Sequence, residues 1–296
     1  MRANTSSYFF PVRSVAMTHT TVPTLDAGQS VIMGTFRPGA QKAEFVSQVE
    51  AQPEVLRYLL AGLLGEPTYT RLSTGGQQYT FRPLSGRKSY TLEVGYRQFA
   101  RQAVGAYLNS LTFQVSPQIR MYCTLAGVAR EVLVPGSRAA GTVQIPSIVG
   151  EEAATWDKVT LQVSGTAETA VSDLTMSIQN PVLPLDVQGT TGRVAGFLPS
   201  GACQVIMNAT ILEPTSAWLS YTEKQIPISF SVEMKGTPFG SDYNRITLSM
   251  ANMRIDQIPA NYAVSDALIN YRFRAEANAA SADPRAVALT IVLSGA

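Results

Sequence analysis

Few side chains in this chain match, in type and position, the residues of a catalytic or ligand-binding site. The single histidine, His19, lies in a Thr-rich stretch, and one imidazole cannot build a histidine-rich metal site. No Gly-x-Ser-x-Gly run marks a serine nucleophile, and neither a calcium loop nor a dinucleotide fingerprint occurs. We therefore expect no catalytic, cofactor-binding or metal-binding residues and no enzymatic activity. His19 is interpreted as a surface or strand-edge residue.

One short run resembles the end of a phosphate-binding loop, Gly86-Arg87-Lys88-Ser89. Arg87 intervenes between the glycine and the lysine, and Phe81 stands where the first glycine is needed. A strand is predicted to follow, whereas a phosphate-binding loop leads into a helix. The run is therefore not interpreted as a phosphate site.

The two cysteines lie singly within predicted strands. Cys123 lies between Met121 and Leu125, and Cys203 precedes Val205, so both share the apolar side of their strands. Buried free cysteine behaves as a small apolar residue. We expect two reduced core thiols, the alternatives being a disulfide or a reactive site.

Composition favours a β-rich protein that associates with itself. Of the 296 residues only 15% are charged while 45% are hydrophobic, whereas about a quarter is usually charged. Low charge is expected where much surface is covered by other subunits. A net charge of +2 provides no general positive field for nucleic acid. No signal-peptide core follows Arg2, and no stretch approaches transmembrane length.

Alternating apolar residues dominate the chain and predict strands with one buried face. The clearest sets are Leu111/Phe113/Val115, Val159/Leu161/Val163, Leu174/Met176/Ile178, Ile228/Phe230/Val232/Met234, Ile269/Tyr271/Phe273/Ala275 and Val287/Leu289/Ile291/Leu293. One helix is predicted from Pro53 to Leu64, with proline in its first turn and Gly65 after its end. Its leucines recur at helical spacing and predict a core-facing side. A shorter, weaker helix is expected after Pro214.

Several runs in the first half of the chain have counterparts in the second half. We match Asn109–Val115 with Asn244–Met250, and Tyr90–Tyr96 with Ile228–Met234. Upstream, a run with Phe45 and Val49 leads into Pro53, as a run with Val205 and Ala209 leads into Pro214. Both halves therefore predict the order strand, proline-started helix, strand, gap, strand. Such a repeat indicates two copies of one domain and an assembly with internal symmetry.

The predicted fold is mainly β, with two tandem β-sandwich or barrel domains that each carry a short helix packed on the sheet. The domains are residues 1–140, with an N-terminal arm, and residues 158–296. A Gly- and Pro-containing linker, residues 141–157, joins them. The gap after the helix is a long polar loop, residues 66–88, in the first copy, but only residues 222–227 in the second. This difference favours a functional arm over a tolerated insertion.

The ordered runs of this chain resemble the tail tube proteins of long-tailed bacteriophages. In the first half the resemblance lies in Leu59–Gly65, Tyr79–Pro83, Tyr90–Val94 and Leu108–Phe113. In the second half it lies in Phe239–Leu248, Ala267–Ala277 and Val287–Leu293. It extends from about Gly34 to the C-terminus, and its specificity lies in the order of the runs because no single motif carries chemistry.

The resemblance implies a structural subunit of the virion tail, assembled in the host cytoplasm. Such subunits form rings that stack into a hollow tube, and their inner sheets join into one barrel. Tape-measure protein and DNA pass through the lumen, and tail-tip and tail-terminator proteins are further partners. With two units per chain, a trimeric ring with pseudo-sixfold symmetry is favoured over a hexamer. The alternative function is a tandem β-sandwich module of a tail tip, a baseplate or an adhesion protein.

Two sets of residues are predicted to act in such a tube. The predicted lumen-lining residues lie on the non-core side of matching strands and are neutral or acidic, so that DNA slides without ion pairing. They are Thr91, Glu93, Thr112, Gln114, Ser229, Ser231, Glu233, Thr247 and Ser249. The predicted inter-ring residues are the basic residues of the long loop, Arg71, Arg82, Arg87 and Lys88.

Overall fold

The computed structural model describes most of the chain. The described residues are 12–26, 35–82, 87–96, 99–117, 119–133, 155–185, 194, 196–200, 203–212, 218, 221, 228–257, 268–277 and 288–293. The N-terminal residues 1–11 and most of the predicted linker lie outside this part of the chain.

Within the described residues the protein has eighteen strands and one α-helix that is described over its whole length. The first-half strands are β1 (Val12–Asp26), β2 (Thr35–Glu50), β3 (Thr68–Arg71), β4 (Gln77–Phe81), β5 (Tyr90–Tyr96), β6 (Phe99–Ser116), β7 (Ile119–Ala129) and β8 (Glu131–Leu133). The second-half strands are β9 (Val159–Val163), β10 (Thr166–Glu168), β11 (Val171–Gln179), β12 (Val182–Leu185), β13 (Gly196–Pro199), β14 (Cys203–Leu212), β15 (Ile228–Phe239), β16 (Asp242–Gln257), β17 (Leu268–Ala277) and β18 (Ala288–Leu293). The helix is α1 (Pro53–Leu64), and a single 3-10 turn, Trp156–Lys158, precedes β9.

The predicted helix is confirmed. Proline occupies the start of α1, where its missing N–H costs no hydrogen bond, and Glu54 in the first turn favours the helix dipole. Its leucine side, with Leu56, Leu60 and Leu63, is fully buried and packs on β6, β4 and β18. At the C-terminal end, Gly65 takes a φ of 104° and donates its N–H to the carbonyl of Ala61. The second predicted helix is described only at Trp218 and Tyr221, which are helical.

The strands pair antiparallel in two connected layers. We name sheet I the order β1-β2-β7-β6-β11-β14-β17, and sheet II the order β10-β9-β15-β16-β18-β4-β3. β16 belongs to both sheets, because it pairs with β15 up to Met253 and with β17 from Arg254 onward. β5 and β8 pair with the first part of β6, and β12 and β13 form a separate hairpin. The prediction of a mainly β fold with a helix on the sheet is confirmed.

The alternation of apolar and polar residues along each strand determines which side of each sheet is buried. Leu111 and Phe113 of sheet I, like Phe230 and Val232 of sheet II, are at most 2% exposed. Both sheets contribute to one cluster of buried residues, which also includes the leucine side of α1. Each sheet therefore turns its apolar side to a common core and its polar side away from it.

Strands of the two halves of the chain pair with each other. β6 of the first half pairs with β11 of the second over six residue pairs, and β4 pairs with β18. The two halves therefore share one hydrogen-bonded sheet system and one buried cluster.

The order of strand pairing repeats between the halves. In the first half β1 pairs with β2, β2 with β7, β7 with β6 and β6 with β5. In the second half β11, β14, β17, β16 and β15 follow the same order. β1 thus corresponds to β11, and β6 corresponds to β16.

The irregularities of pairing repeat as well. A bulge inserts one extra residue into one strand of a pair and is a specific structural feature. The bulge between the β1–β2 pairs Val12–Val49 and Ser14–Gln48 matches the bulge between the β11–β14 pairs Val171–Ile211 and Asp173–Thr210. The bulge between the β5–β6 pairs Tyr90–Ala106 and Leu92–Ala103 matches the bulge between the β15–β16 pairs Ile228–Met253 and Phe230–Met250. The bulge between the β6–β7 pairs Leu108–Gly127 and Ser110–Ala126 matches the bulge between the β16–β17 pairs Ile255–Phe273 and Gln257–Arg272. The predicted match of Tyr90–Tyr96 with Ile228–Met234 agrees with this register.

The other matched run needs a correction. The sequence match set Asn109–Val115 against Asn244–Met250, but the pairing sets Leu108 of β6 against Ile255 of β16. The two alignments of β6 with β16 differ by an even number of residues. Strand alternation has a period of two, so an even shift keeps every apolar residue on the same side. The pattern alone therefore could not fix the register.

The predicted long loop contains a hairpin. β3 and β4 form it within residues 66–88, and β4 extends sheet II by pairing with β18. Threonine and tyrosine, which favour strands, occupy both of its strands. The N-terminal arm likewise contains β1, where His19 lies opposite Ala43 of β2. In the predicted linker, residues 141–154 lie outside the described part.

Candidate functional site

The nine predicted lumen residues are placed on four strands. Thr91 and Glu93 lie on β5, Thr112 and Gln114 on β6, Ser229, Ser231 and Glu233 on β15, and Thr247 and Ser249 on β16. Each of these side chains is exposed or half-buried. The alternation argument therefore correctly predicted that they face away from the core.

The second-half members of this set form one polar patch on sheet II. Ser231 lies directly opposite Ser249, and Glu233 lies directly opposite Thr247. Directly opposite side chains on an antiparallel pair are within about 5.5 Å at Cβ. The Glu233 carboxylate forms an ion pair with Lys235 Nζ at 3.3 Å. The negative charge of the one acid in the patch is therefore balanced by a neighbouring lysine.

The first-half members lie in two other places. On sheet I, Thr112 Oγ1 donates a hydrogen bond to Ser177 Oγ at 3.0 Å, and Gln114 lies opposite Thr175 and Tyr122. On β5, Glu93 accepts a hydrogen bond from Gln102 Nε2 at 2.8 Å. The structure does not pair these residues with the patch on sheet II.

The hairpin of β3 and β4 is anchored at its base by an aromatic cluster around Arg57 of α1. The guanidinium donates to Tyr79 Oη at 2.7 Å and to Glu54 at 2.6 Å. It also lies over the rings of Tyr58 and Tyr79, at 4.6 and 4.9 Å from their centroids, where cation–π attraction adds to the hydrogen bonds. Phe81, at the end of β4, is fully buried. The hairpin is therefore fixed to the body of the protein at this end.

The other end of the hairpin is a tight turn in solvent. The N–H of Leu72 bonds the carbonyl of Gly76, and the N–H of Gly75 bonds the carbonyl of Leu72. Gly75 has a φ of 86°, a conformation that glycine adopts without strain. The turn residues Ser73 and Thr74 are exposed, so this end is accessible to another molecule.

The four basic residues predicted for inter-ring contact differ in their surroundings. Arg71, at the end of β3, and Arg82, after β4, are exposed. Lys88 Nζ pairs with Glu66 at 2.5 Å, and both side chains remain mostly exposed. Arg87, in contrast, is half-buried and bonded within the chain.

Arg87 joins the two halves of the chain. Its Nη1 donates to the carbonyl of Leu108 at 3.1 Å and to the carbonyl of Asn180 at 2.5 Å. Burial lowers the pKa of this guanidinium, with Cys203 and Tyr107 opposing the shift. Nearby, the N–H of Val182 donates to Asn109 Oδ1 at 3.1 Å. Sequence reasoning missed this role, because the partners are far apart in the chain and no local motif connects them.

The remaining reactive groups are buried. Cys123 and Cys203 are free and buried, as the reduced-thiol interpretation predicts. Burial raises the pKa of the Cys203 thiol to about 12, with Arg87 opposing the shift, and burial also raises the pKa of Cys123. Thiolate is the reactive form, so neither cysteine is an activated nucleophile.

Across the described ranges, no group of three or more His, Cys, Asp or Glu side chains is placed to hold a metal ion. None of the helical segments in that part of the chain has the length and apolar character needed to cross a membrane.

Comparison with known protein families shows which family this chain belongs to. The family described as phage tail tube protein matches residues 36–291, which is most of the chain. The chain belongs to the phage tail tube protein family. No curated protein matches the chain.

Membership makes this tail tube protein a structural component of the phage virion. The family match spans both sheets from β2 to β18 and includes the hairpin of β3 and β4. The polar strand sides and the exposed turn of this tail tube protein are therefore candidate surfaces for assembly.

Proposed function

We propose that this tail tube protein assembles into rings that stack into a hollow conduit for genome delivery. Each chain contributes two tube units, residues 1–140 and 158–296, joined by the linker 141–157. Three chains form a ring with pseudo-sixfold symmetry, and the alternative is a hexamer with the second copy on the outside. The observation that supports the proposal is the repeated strand pairing with its matching bulges. Two units that occupy equivalent places around one barrel must have equivalent structures.

The lumen is lined by one of the polar strand sides that carry the nine candidate residues on β5, β6, β15 and β16. Their hydroxyl, amide and carboxylate groups offer DNA no fixed positive charge, so DNA passes without counterion-releasing contacts. The two acids have neutral or basic neighbours, Gln102 beside Glu93 and Lys235 beside Glu233. Tape-measure protein occupies the same channel before DNA passes.

Because sheets I and II turn their polar sides away from a common core, labelling can identify which of them faces the channel. Gln114 on sheet I and Ser249 on sheet II are exposed, so a single cysteine can be introduced at either position. In intact tubes, a bulky thiol reagent should label the channel position more slowly than the outer one. Equal, fast labelling at both positions would contradict a lumen built from these sides.

Stacking uses the hairpin of β3 and β4 with the basic residues Arg71, Arg82, Arg87 and Lys88. The exposed turn and the exposed Arg71 and Arg82 support contact with acids of the adjacent ring. Tail-tip and tail-terminator proteins cap the two ends of the stack. Assembly takes place in the host cytoplasm.

Negative-stain microscopy of the purified protein tests the proposed function. A tube subunit should form long hollow polymers of uniform width without added ligand. A module of a tail tip, a baseplate or an adhesion protein should remain discrete and should bind a glycan or a receptor. Discrete particles at all concentrations would overturn the proposed tube-building role.

A further inference from the structure

The hairpin of β12 and β13 has one side fixed to the body of the protein. Among the described strands, these two pair only with each other. Val182 is 6% exposed, and its N–H donates to Asn109 Oδ1 at 3.1 Å. The centre of the Phe197 ring lies 5.1 Å from the centre of the Tyr107 ring of β6. These contacts hold the hairpin against the protein although it belongs to neither main sheet.

The other side of this hairpin exposes three leucines. Leu183 lies directly opposite Leu198, and Leu185 is two residues from Leu183, so all three share one side. Leu183, Leu198 and Leu185 are 58%, 51% and 38% exposed. Gly196 lies opposite Leu185 and carries no side chain that could cover it. We call the three leucines the leucine face.

The leucine face is unusual for the surface of this chain. Seven large hydrophobic side chains are exposed in the described part of the chain, and three of them belong to this short hairpin. Neither of its two strands contains Lys, Arg, Asp or Glu. Clustered exposed apolar side chains mark contact sites, whereas single ones are normal. The leucine face therefore has the character of a contact site.

The first half of the chain contains a counterpart of this hairpin. The far ends of β1 and β2 correspond to β12 and β13, because each continues a pair of equivalent strands beyond an irregularity. Counted from that irregularity, the third residue pair is apolar in both halves, as Leu25–Phe36 and as Pro184–Phe197. The side that carries Phe197 is therefore apolar in both halves.

The opposite side differs between the halves. The second and fourth pairs, which form the leucine face with Gly196 in the second half, are polar in the first half. There they are Thr24–Arg37 and Asp26–Thr35. A hairpin with this pairing thus forms with polar residues on that side. The leucines are not required by the fold of the hairpin, and they serve a contact that only the second half makes.

The size of the leucine face indicates which partner covers it. A stable contact between two proteins usually buries about 1,200–2,000 Å², whereas three partly exposed leucines offer apolar area on the order of 200 Å². Such a small contact is maintained when it is repeated within one assembly, because linked contacts strengthen one another. Copies of this chain supply that repetition in the proposed tube, whereas a partner that meets one chain alone does not.

We propose that the leucine face docks on a second copy of this chain in the assembled tube. The inference rests on the proposed tube and adds a contact that only the second half of each chain makes. The receiving surface differs from the leucine face, because two identical faces that meet around a twofold axis would stop at a pair of chains. The two halves of the chain are therefore not interchangeable in the assembly.

A triple variant tests this contact with residues taken from the first half. Leu183→Thr, Leu198→Arg and Leu185→Asp give the second hairpin the polar residues of the first, and the two added charges cancel. We expect free subunits of this variant to remain folded by circular dichroism. The critical concentration for tube formation should rise on the order of tenfold or more, because the apolar burial is lost. Only purified protein is present, so the rise must come from contacts between copies of the chain.

Leu133→Thr is the matched control for the triple variant. Leu133 is 41% exposed but lies on β8, so its replacement should leave the critical concentration unchanged. An unchanged critical concentration of the triple variant, or an equal rise for Leu133→Thr, would overturn the leucine contact.

A photoreactive side chain identifies the occupant directly. With p-benzoylphenylalanine in place of Leu183 in the full chain, irradiation of the assembled protein should cross-link two copies of the chain, and peptide mapping then gives the receiving residues. Tubes without such a cross-link would overturn the contact and leave the tube function standing. Discrete oligomers that cross-link from this position would support the contact and overturn the tube function. A chain that stays monomeric would overturn both.

Discussion

At the scale of single residues, close contacts between strands define positions with no tolerance for a larger side chain. Gly127 of β7 lies opposite Phe45, and a Cβ added there would be 2.2 Å from the Tyr107 carbonyl oxygen and 2.4 Å from Phe45 Cζ. The carbonyl belongs to the backbone and cannot rotate away. We expect Gly127→Ala to lower the free energy of unfolding by about 2 kcal/mol or more, because overpacking outweighs the entropy that alanine saves.

Chemical denaturation of purified subunits measures this loss. Gly196→Ala is the matched control, because no atom lies within 4 Å of the added Cβ in its strand, and its stability should be unchanged or slightly higher. Equal stability of the two variants would contradict the packing around Gly127.

The bonds of Arg87 give a second prediction at this scale. Arg87→Ala removes its charge-assisted hydrogen bonds to the carbonyls of Leu108 and Asn180. We expect a loss of about 1.5–3 kcal/mol in the free energy of unfolding. Lys88→Ala, beside it in the chain, removes an exposed ion pair and should change stability by no more than about 1 kcal/mol.

The same pair of variants separates two roles of Arg87. A variant whose free subunits are as stable as the unaltered protein, but whose rings no longer stack, would favour the inter-ring role. Destabilised subunits would favour the role within the chain.

At the scale of elements, the hairpin of β3 and β4 combines a fixed base with an exposed turn. Because β4 pairs with β18, deletion of the hairpin would also damage sheet II, whereas charge reversal leaves the backbone intact. We expect Arg71→Glu combined with Arg82→Glu to leave folded rings that form few or short tubes, since the exposed cations would no longer attract acids of the next ring. Sedimentation and negative-stain microscopy measure tube length.

Arg120→Glu is the control for this experiment, because Arg120 is also exposed but lies at the start of β7. Tubes of normal length from the double variant would rule out a stacking role for these arginines.

At the scale of the whole molecule, the number of chains per ring follows from whether the two halves occupy equivalent places. Three chains would supply six units, and three hairpins of β3 and β4 would give neighbouring rings a threefold registry. The expected native mass of an isolated ring is three times 31.9 kDa. Native mass spectrometry, or symmetry analysis of tube images, measures it. A ring of six chains would exclude the trimer.

Local features of this protein follow directly from its amino-acid sequence. Alternation identified buried residues such as Leu111, Phe230 and Val232, because side chains on a strand point to alternate sides. Pro53, the leucine spacing and Gly65 defined α1 to its final residue, because these signals act within a few residues of the helix ends. The ordered runs were also sufficient for the family resemblance.

The way in which these elements are joined follows from long-range packing and not from local patterns. The register between β6 and β16 was open to an even shift, since a period-two pattern matches itself at every second residue. The hairpin within residues 66–88 depends on β18, which lies at the far end of the chain and completes sheet II beside β4. Arg87 and Asn180 are separated by 93 residues. Contacts at such separations are set by the packing of whole sheets, which no local sequence pattern encodes.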